Sequence, residues 1–231
     1  MTTDEKYQYL LKNESENMYA EVITQNSYDI GEFELQNREV IDIGANVGMF
    51  TALALLKGAS KVIAVEPVAS TFSILASHIN NLEYIDKVLL LKNVVSDESN
   101  KLIQMSLLDS SIRNSTYEKT DKTEKVLSIS LPDILRHTTN NVYLKMDCEG
   151  SEYDILMNLK RDDLKNVSTI GMEVHGALHP LYRGRNGRDA LANKLGSMGF
   201  KNIYSKEVFY FSYDPSIEPV SMDLWMERWH K

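Results

Sequence analysis

Cys148 is the chain's only cysteine, so no disulfide can form within it, which agrees with a reducing compartment. Nothing approaches the roughly 18 uninterrupted apolar residues of a membrane span, and the opening Met1-Thr2-Thr3-Asp4-Glu5-Lys6 is acidic and polar, without the apolar stretch of a secretion signal. Basic residues are outnumbered, 25 Lys and Arg against 33 Asp and Glu, for a net charge of -8. Phosphate contacts need clustered Lys and Arg, so nucleic acid is not the expected main partner. There is no cysteine cluster, and no metal site is expected. Repeats and low-complexity linkers are also missing. These absences describe a soluble, cytoplasmic protein and leave a small molecule, a glycan or a protein open as its partner, with no sign of its oligomeric state. At 231 residues and 43% apolar content it fits one domain, able to bury about 70% of its unfolded surface.

What the chain does have begins at Val40-Ile41-Asp42-Ile43-Gly44-Ala45-Asn46-Val47-Gly48. An apolar run holding one acid ends in glycines and gives way to a helical pattern from about Val47 to Lys57. Gly44 and Gly48 let the backbone pass close to a ligand, and the helix directs its positive end at the loop. A second strand, Lys61 to Val65, ends in Glu66-Pro67, where an acid can accept hydrogen bonds from both hydroxyls of a ribose. A dinucleotide fingerprint G-x-G-x-x-G starting at Gly44 would need glycine at 46 and 49, but Asn46 and Met49 stand there. Pyrophosphate binding is thereby disfavoured, although a nicotinamide oxidoreductase and a non-catalytic binding module would share the sheet.

Apolar runs then alternate with helix-period segments, the pattern of a mostly parallel sheet covered on both faces. Residues 5 to 19 read as helical, and Tyr19 to Leu35 as short strands or an extended cover. Phe72, Leu75, Ala76 and Ile79 mark a helix over Ala69 to Asn81, and Val88 to Leu91 a third strand. Residues 93 to 125 are polar, with strands expected at Leu102 to Leu107 and Lys125 to Ile129; a substrate lid and a solvated insertion are both compatible with them. Leu131 to Leu135 starts a short helix with an early proline. Two further strands end in acids: Asn141 to Met146 before Asp147-Cys148-Glu149-Gly150-Ser151-Glu152, and Thr169 to His175, where Glu173 and His175 share a face. Ligands in open α/β sheets bind beyond the carboxyl ends of strands, so Asp147, Glu173 and His175 belong at the rim that carries Gly44 and Glu66. Ser151 and Asp154 resemble a capping box that would favour Glu149 and Glu152 near a helix start. A helix over Gly187 to Met198 and strands at Lys201 to Tyr204 and Val208 to Tyr213 complete the chain, the last two as an antiparallel hairpin. His179 is a further candidate for the pocket wall. The basic stretch Tyr182 to Arg188 is either an anion clamp or a solvated loop.

These motifs, in this order from about Tyr19 to Tyr213, resemble the FkbM family of S-adenosylmethionine (SAM) dependent methyltransferases. The acid-acid-glycine strand end Asp147-Cys148-Glu149-Gly150 is its most distinctive element here. The resemblance implies a Rossmann-like class I methyltransferase fold, with a mostly parallel seven-stranded sheet, an antiparallel C-terminal hairpin and helices on both faces. It also implies an N-terminal helix and cover over residues 1–39, the methyltransferase domain over 40–231, and O-methylation of a hydroxyl on a sugar, glycan or secondary metabolite. SAM is then expected at Asp42, Gly44, Ala45, Asn46, Gly48, Glu66, Pro67, Asn93 and Asp147. Catalysis would rest on Asp147, Glu173 and His175. His175 is the expected general base, since an ordinary imidazole pKa of about 6.5 suits that role, and Asp147 is the alternative. A metal, were one present, would use Asp147, Glu173 and His175, but SAM positioning and helix capping account for these acids without it.

Overall fold

Strand β1 (Glu39–Ile43) is fully apolar apart from its first residue and Asp42, as suits an interior strand of the sheet with both of its faces covered. The structure, a computed structural model, describes residue 5 and residues 19–32, 34–81, 84–107, 121–176, 179–182, 184–210 and 220–231. On one side of β1 lie β2 (Lys61–Val65) and β3 (Val88–Leu91), all parallel. Strands β4 (Val94–Ser96), β5 (Leu102–Ser106) and β6 (Thr123–Ser130) form a separate three-stranded sheet in the order β4-β6-β5. On the other side of β1 lie β7 (Val142–Met146) and β8 (Val167–His175), again parallel. The sheet closes with β9 (Lys201–Tyr210) and β10 (Val220–His230), giving the order β3-β2-β1-β7-β8-β10-β9. Its seven strands, parallel except for β10, which runs antiparallel to both β8 and β9, agree with the expected fold.

Side-chain alternation divides the core between the two faces. Ile41, Ile43, Ile63 and Val65 pack on one side with helices α3 (Leu131–Leu135), α4 (Glu152–Met157) and α5 (Gly184–Ser197). Val40, Val62 and Ala64 pack on the other with α1 (Met49–Leu56) and α2 (Ala69–Asn80). Helix α1 begins at Gly48, whose φ of 96° reverses the chain between strand and helix. The small sheet is tied to the start of α2, where the Ala69 N–H donates to Glu124 Oε2 at 3.1 Å.

Two local expectations change, and a third is left untested. The expected helix over residues 5 to 19 lies outside the described residues except at its two ends. The cover segment contains a π-helical turn, Ala20–Thr24, instead of strands. Asn26 closes it, accepting from the Ile30 N–H at 2.9 Å and donating to the Ile30 carbonyl at 3.1 Å, while Tyr28, Ile30 and Leu35 are buried against α1. The two short terminal strands are a single strand, β9, with 211–213 outside the described residues. Ser205, Lys206 and Glu207, which read as a break, continue the strand opposite Glu227, Met226 and Trp225, and the hairpin partner is the unforeseen β10.

Candidate active site

The strand ends assemble the rim in layers. Gly44 and Ala45 both donate their N–H groups to the Val65 carbonyl at 3.0 Å, and the Asp147 N–H donates to the Ile43 carbonyl at 3.1 Å. The loop after β1 is therefore pinned between the ends of β2 and β7. Asn46 follows with a left-handed φ of 49°, a conformation asparagine tolerates. Its N–H donates to Glu66 Oε2 at 3.0 Å, while Glu66 Oε1 accepts from the Val68 N–H at 3.0 Å. Burial pushes the Glu66 carboxyl up to about 7, against the opposing pull of the two backbone donors and Lys145.

A cleft of about 640 Å³, measured to its open mouth, runs along this rim. Of the expected cofactor residues, Gly44, Asn46, Glu66, Pro67, Asn93 and Asp147 line it. So do Val94, Val95 and Met105 from the small sheet, and Cys148, Glu149 and Ser151 after β7. Asp42, Ala45, Gly48, Glu173 and His175 are not among its walls. Asp42 is fully buried under the loop, where Thr51 Oγ1 donates to its Oδ2 at 2.7 Å and Lys145 Nζ lies 3.3 Å from its Oδ1. Burial on its own would lower the Lys145 pKa, but Asp42, Asp147 and Glu173 outweigh it and raise the pKa above the ordinary lysine value, so the ammonium stays charged. Lys145 Nζ also donates to the Gly44 carbonyl at 2.8 Å and stands 3.7 Å from Asp147 Oδ2. One buried cation thus fixes the glycine loop and Asp147 together. Sequence reading passed over it, although a lysine inside the otherwise apolar run of β7 was the available signal.

His175, at the end of β8, sits among four carboxylates. Its Nδ1–H donates to Glu152 Oε1 at 2.8 Å. Its Nε2 lies 3.6 Å from Glu149 Oε2, 3.8 Å from Glu173 Oε2 and 4.0 Å from Asp147 Oδ1. Burial would lower its pKa, but Glu152, Glu173 and Asp147 outweigh that and raise it to about 10. The imidazole accordingly carries its proton at neutral pH and has no lone pair with which to take another, so it does not fit the base role expected of it. The reason is the number of acids that folding brings to it. Glu152 is completely buried and also accepts the Cys148 N–H at 3.2 Å, which gives it a role beyond helix capping. Ser151 makes no side-chain cap on α4, so the expected capping box does not form. Glu173 Oε1 accepts from the Tyr28 hydroxyl at 3.0 Å, bringing the cover segment to the site.

The other candidates are engaged elsewhere. His179 lies 3.2 Å from Asp154 and packs between Tyr153 and Tyr182, away from the cleft walls. Arg188 pairs with Glu227 at 2.6 Å and Arg185 with Glu207 at 3.4 Å, so this part of the basic stretch ties α5 to the terminal strands; Arg183 lies outside the described residues.

A parallel sheet of this order, with a glycine loop, a ribose-type acid and a second acid at neighbouring strand ends, defines a Rossmann-like methyltransferase that uses SAM as its cofactor. The profile of the methyltransferase FkbM domain matches residues 42–201, and the chain belongs to the FkbM methyltransferase family. No curated protein matches the sequence. Among solved structures, the chain is similar to a protein from Listeria monocytogenes described as an S-adenosylmethionine-dependent methyltransferase, with TM-score 0.53 and 11% identity over 93% of this chain and 99% of that one. TrmK of M. capricolum in complex with S-adenosyl-homocysteine (SAH) gives a TM-score of 0.51 and 13% identity, over 90% of this chain and 66% of that one. Methyltransferase FkbM from Methylobacillus flagellatus KT gives 0.50 and 13%, over 84% of this chain and 44% of that one. At these identities the likenesses speak for the fold. No helix among the described residues is long and apolar enough to cross a membrane.

Proposed function

We propose that this methyltransferase transfers the sulfonium methyl of SAM to a hydroxyl of a small cytoplasmic acceptor, a sugar, glycan or secondary metabolite. The observation that carries the reading is the pair of acids lining one cleft, Glu66 after β2 and Asp147 after β7, with the glycine loop between them. In this reading Glu66 holds the ribose, Val94, Val95 and Met105 form the apolar wall for the adenine beside Pro67 and Asn93, and the loop Gly44, Ala45, Asn46, Gly48 passes under the methionine part. Asp42 acts from below, through Lys145. The acceptor oxygen bonds to the methyl carbon as the carbon–sulfur bond breaks, and that electron pair stays on sulfur, leaving SAH. The hydroxyl proton passes to Asp147, the cleft-lining carboxylate of the expected catalytic set. Glu173 and protonated His175 hold the local field and orient Asp147. The described part of the N-terminal segment, from residue 19 onward, serves as a cover, supported by the Tyr28 contact to Glu173. The net charge of -8 favours an acceptor other than nucleic acid.

Methyl-labelled SAM offered with a panel of hydroxylated sugars and metabolites tests this reading. Label recovered in a base-stable methyl ether supports it; label found only on nitrogen or in a labile ester, or only on RNA, overturns it. For the cofactor end, Glu66→Ala is expected to weaken SAM by about 1.5 to 3 kcal/mol, the range for lost hydrogen bonds to a charged group. Because the Glu66 carboxyl of the free protein titrates near 7 and the ribose hydroxyls need its ionised form, SAM affinity should fall as pH drops through that value. Calorimetry from pH 5.5 to 8.5 reads both effects. An unchanged dissociation constant in the variant, or a flat pH profile in the parent protein, would remove Glu66 from the ribose.

A further inference from the structure

Among the described residues, Asp147, Glu149 and His175 each offer one ligand atom, and the three atoms lie within 4.8 Å of one another. The spacing around His175 Nε2 is informative. Three carboxylate oxygens surround it at 3.6, 3.8 and 4.0 Å, from Glu149, Glu173 and Asp147. A histidine merely paired with acids draws one of them to the hydrogen-bond distance of about 2.7 to 3.2 Å, as Glu152 is drawn to Nδ1, but none closes on Nε2. Ligands sharing one ion at about 2.0 to 2.2 Å stand about 3 to 3.6 Å apart in octahedral or tetrahedral shells, so this group, whose atoms lie within 4.8 Å of one another, closes on an ion by a contraction on the order of 1 Å. His175 is itself only 9% exposed, and Glu152 grips its opposite edge at 2.8 Å. The Nε2 edge, which makes no hydrogen bond among the described residues, is thereby aimed into the group. A carboxylate holding the far nitrogen of a ligating histidine is the usual outer support of metal sites.

We propose that Asp147, Glu149 and His175 bind a divalent cation at the edge of the cleft, with Glu152 orienting the imidazole. One nitrogen and two carboxylates suit Mn²⁺, Mg²⁺ or Zn²⁺ better than a soft ion. The ion takes the place of the imidazole proton. Glu149 enters the set in place of Glu173, and the sequence expectation of no metal is reversed. Since Asp147 and Glu149 line the cleft, an ion between them borders the space for the acceptor. Resting on the hydroxyl-methylation reading, the ion's role is to hold the acceptor hydroxyl and make it more acidic. Ligation through Asp147 Oδ1 leaves Oδ2, the oxygen 3.7 Å from Lys145, to receive the proton.

The test is Mn²⁺ binding to the full chain after chelator treatment, followed by electron paramagnetic resonance, with SAH binding measured by calorimetry on the same preparations. One Mn²⁺ per chain is expected. Binding should weaken by about tenfold or more in Glu149→Gln and in His175→Ala, and by about 10- to 100-fold in Glu152→Gln, with SAH affinity within a few-fold of the parent in Glu149→Gln. Protein that binds SAH but takes up no Mn²⁺ at millimolar concentration overturns the site, as does equal Mn²⁺ binding by parent and Glu149→Gln. Mn²⁺ uptake without SAH binding leaves the site standing and removes the cofactor reading. Turnover lost on chelation and restored by Mn²⁺ or Mg²⁺ supports the ion's role, and turnover indifferent to chelation overturns it.

Discussion

Turnover of an Asp147→Asn protein is expected to fall by about 10² to 10⁴, the range for loss of a positioned proton acceptor. Asparagine keeps the size of the side chain and its place in the cleft wall, but it cannot take a proton, and it surrenders the charge that faces Lys145 at 3.7 Å and His175 at 4.0 Å. The loss belongs in kcat more than in binding, since the Asp147 N–H still ties β7 to the Ile43 carbonyl and the glycine loop keeps its support from Lys145. SAH affinity should change by no more than a few-fold. Single-turnover measurements beside SAH calorimetry separate the two. Full activity in the variant would sink the assignment and place the burden on positioning alone.

The largest effect on the fold is expected from Gly44→Ala. Gly44 has a φ of +71°, and a Cβ there would overlap the carbonyl oxygen of Asp147, a backbone atom that cannot swing away. Relief requires β1 and β7 to part at the point where the Ile43 carbonyl accepts the Asp147 N–H. Left-handed backbone costs alanine about 1 to 2 kcal/mol. Overpacking adds about 1 to 3 kcal/mol. Denaturant unfolding should therefore report a loss of about 2 to 5 kcal/mol, with SAM binding lost in parallel because the same movement distorts the cofactor loop. Gly48→Ala is the comparison: at a φ of +96° it bears the same left-handed cost, but its Cβ would meet only Leu75 Cδ1, at 2.7 Å, the end of a side chain that can rotate, so it should lose less. An unfolding midpoint shared by Gly44→Ala and the parent would mean that the two strand ends are not locked as described.

The central strands could be read from sequence because burial on both faces makes them continuous apolar runs, each ended by an acid or glycine that water or a ligand must meet. β10 could not, since Asp223, Glu227 and Arg228 interrupt any period of two among Leu224, Trp225, Met226 and Trp229. β4, three residues long, gives no periodicity at all, yet it supplies Val94 and Val95 to the cleft. At the site, glycines and strand-end acids were visible because their chemistry is local. The protonation of His175 was not, because it follows from Asp147, Glu152 and Glu173, which belong to two segments more than 20 residues apart in sequence and meet only when β7 and β8 pair. Lys145 was hidden by the same limit: its worth depends on Asp42, its register partner one strand away.

The position of β10 between β8 and β9 sets an order of assembly on a nascent chain. Among the described residues β9 has no neighbour in the seven-stranded sheet except β10, and Met226 of β10 is the register partner of Glu173. As synthesis proceeds, the core strands through β8 can pair in sequence, while the side of β8 that bears Glu173 and His175 stays an open edge until residues 220–230 leave the ribosome. The acid-rich rim is thus finished only once β10 has been made, so a chain stalled before residue 220 would carry most of the sheet with the rim still open on the β8 side.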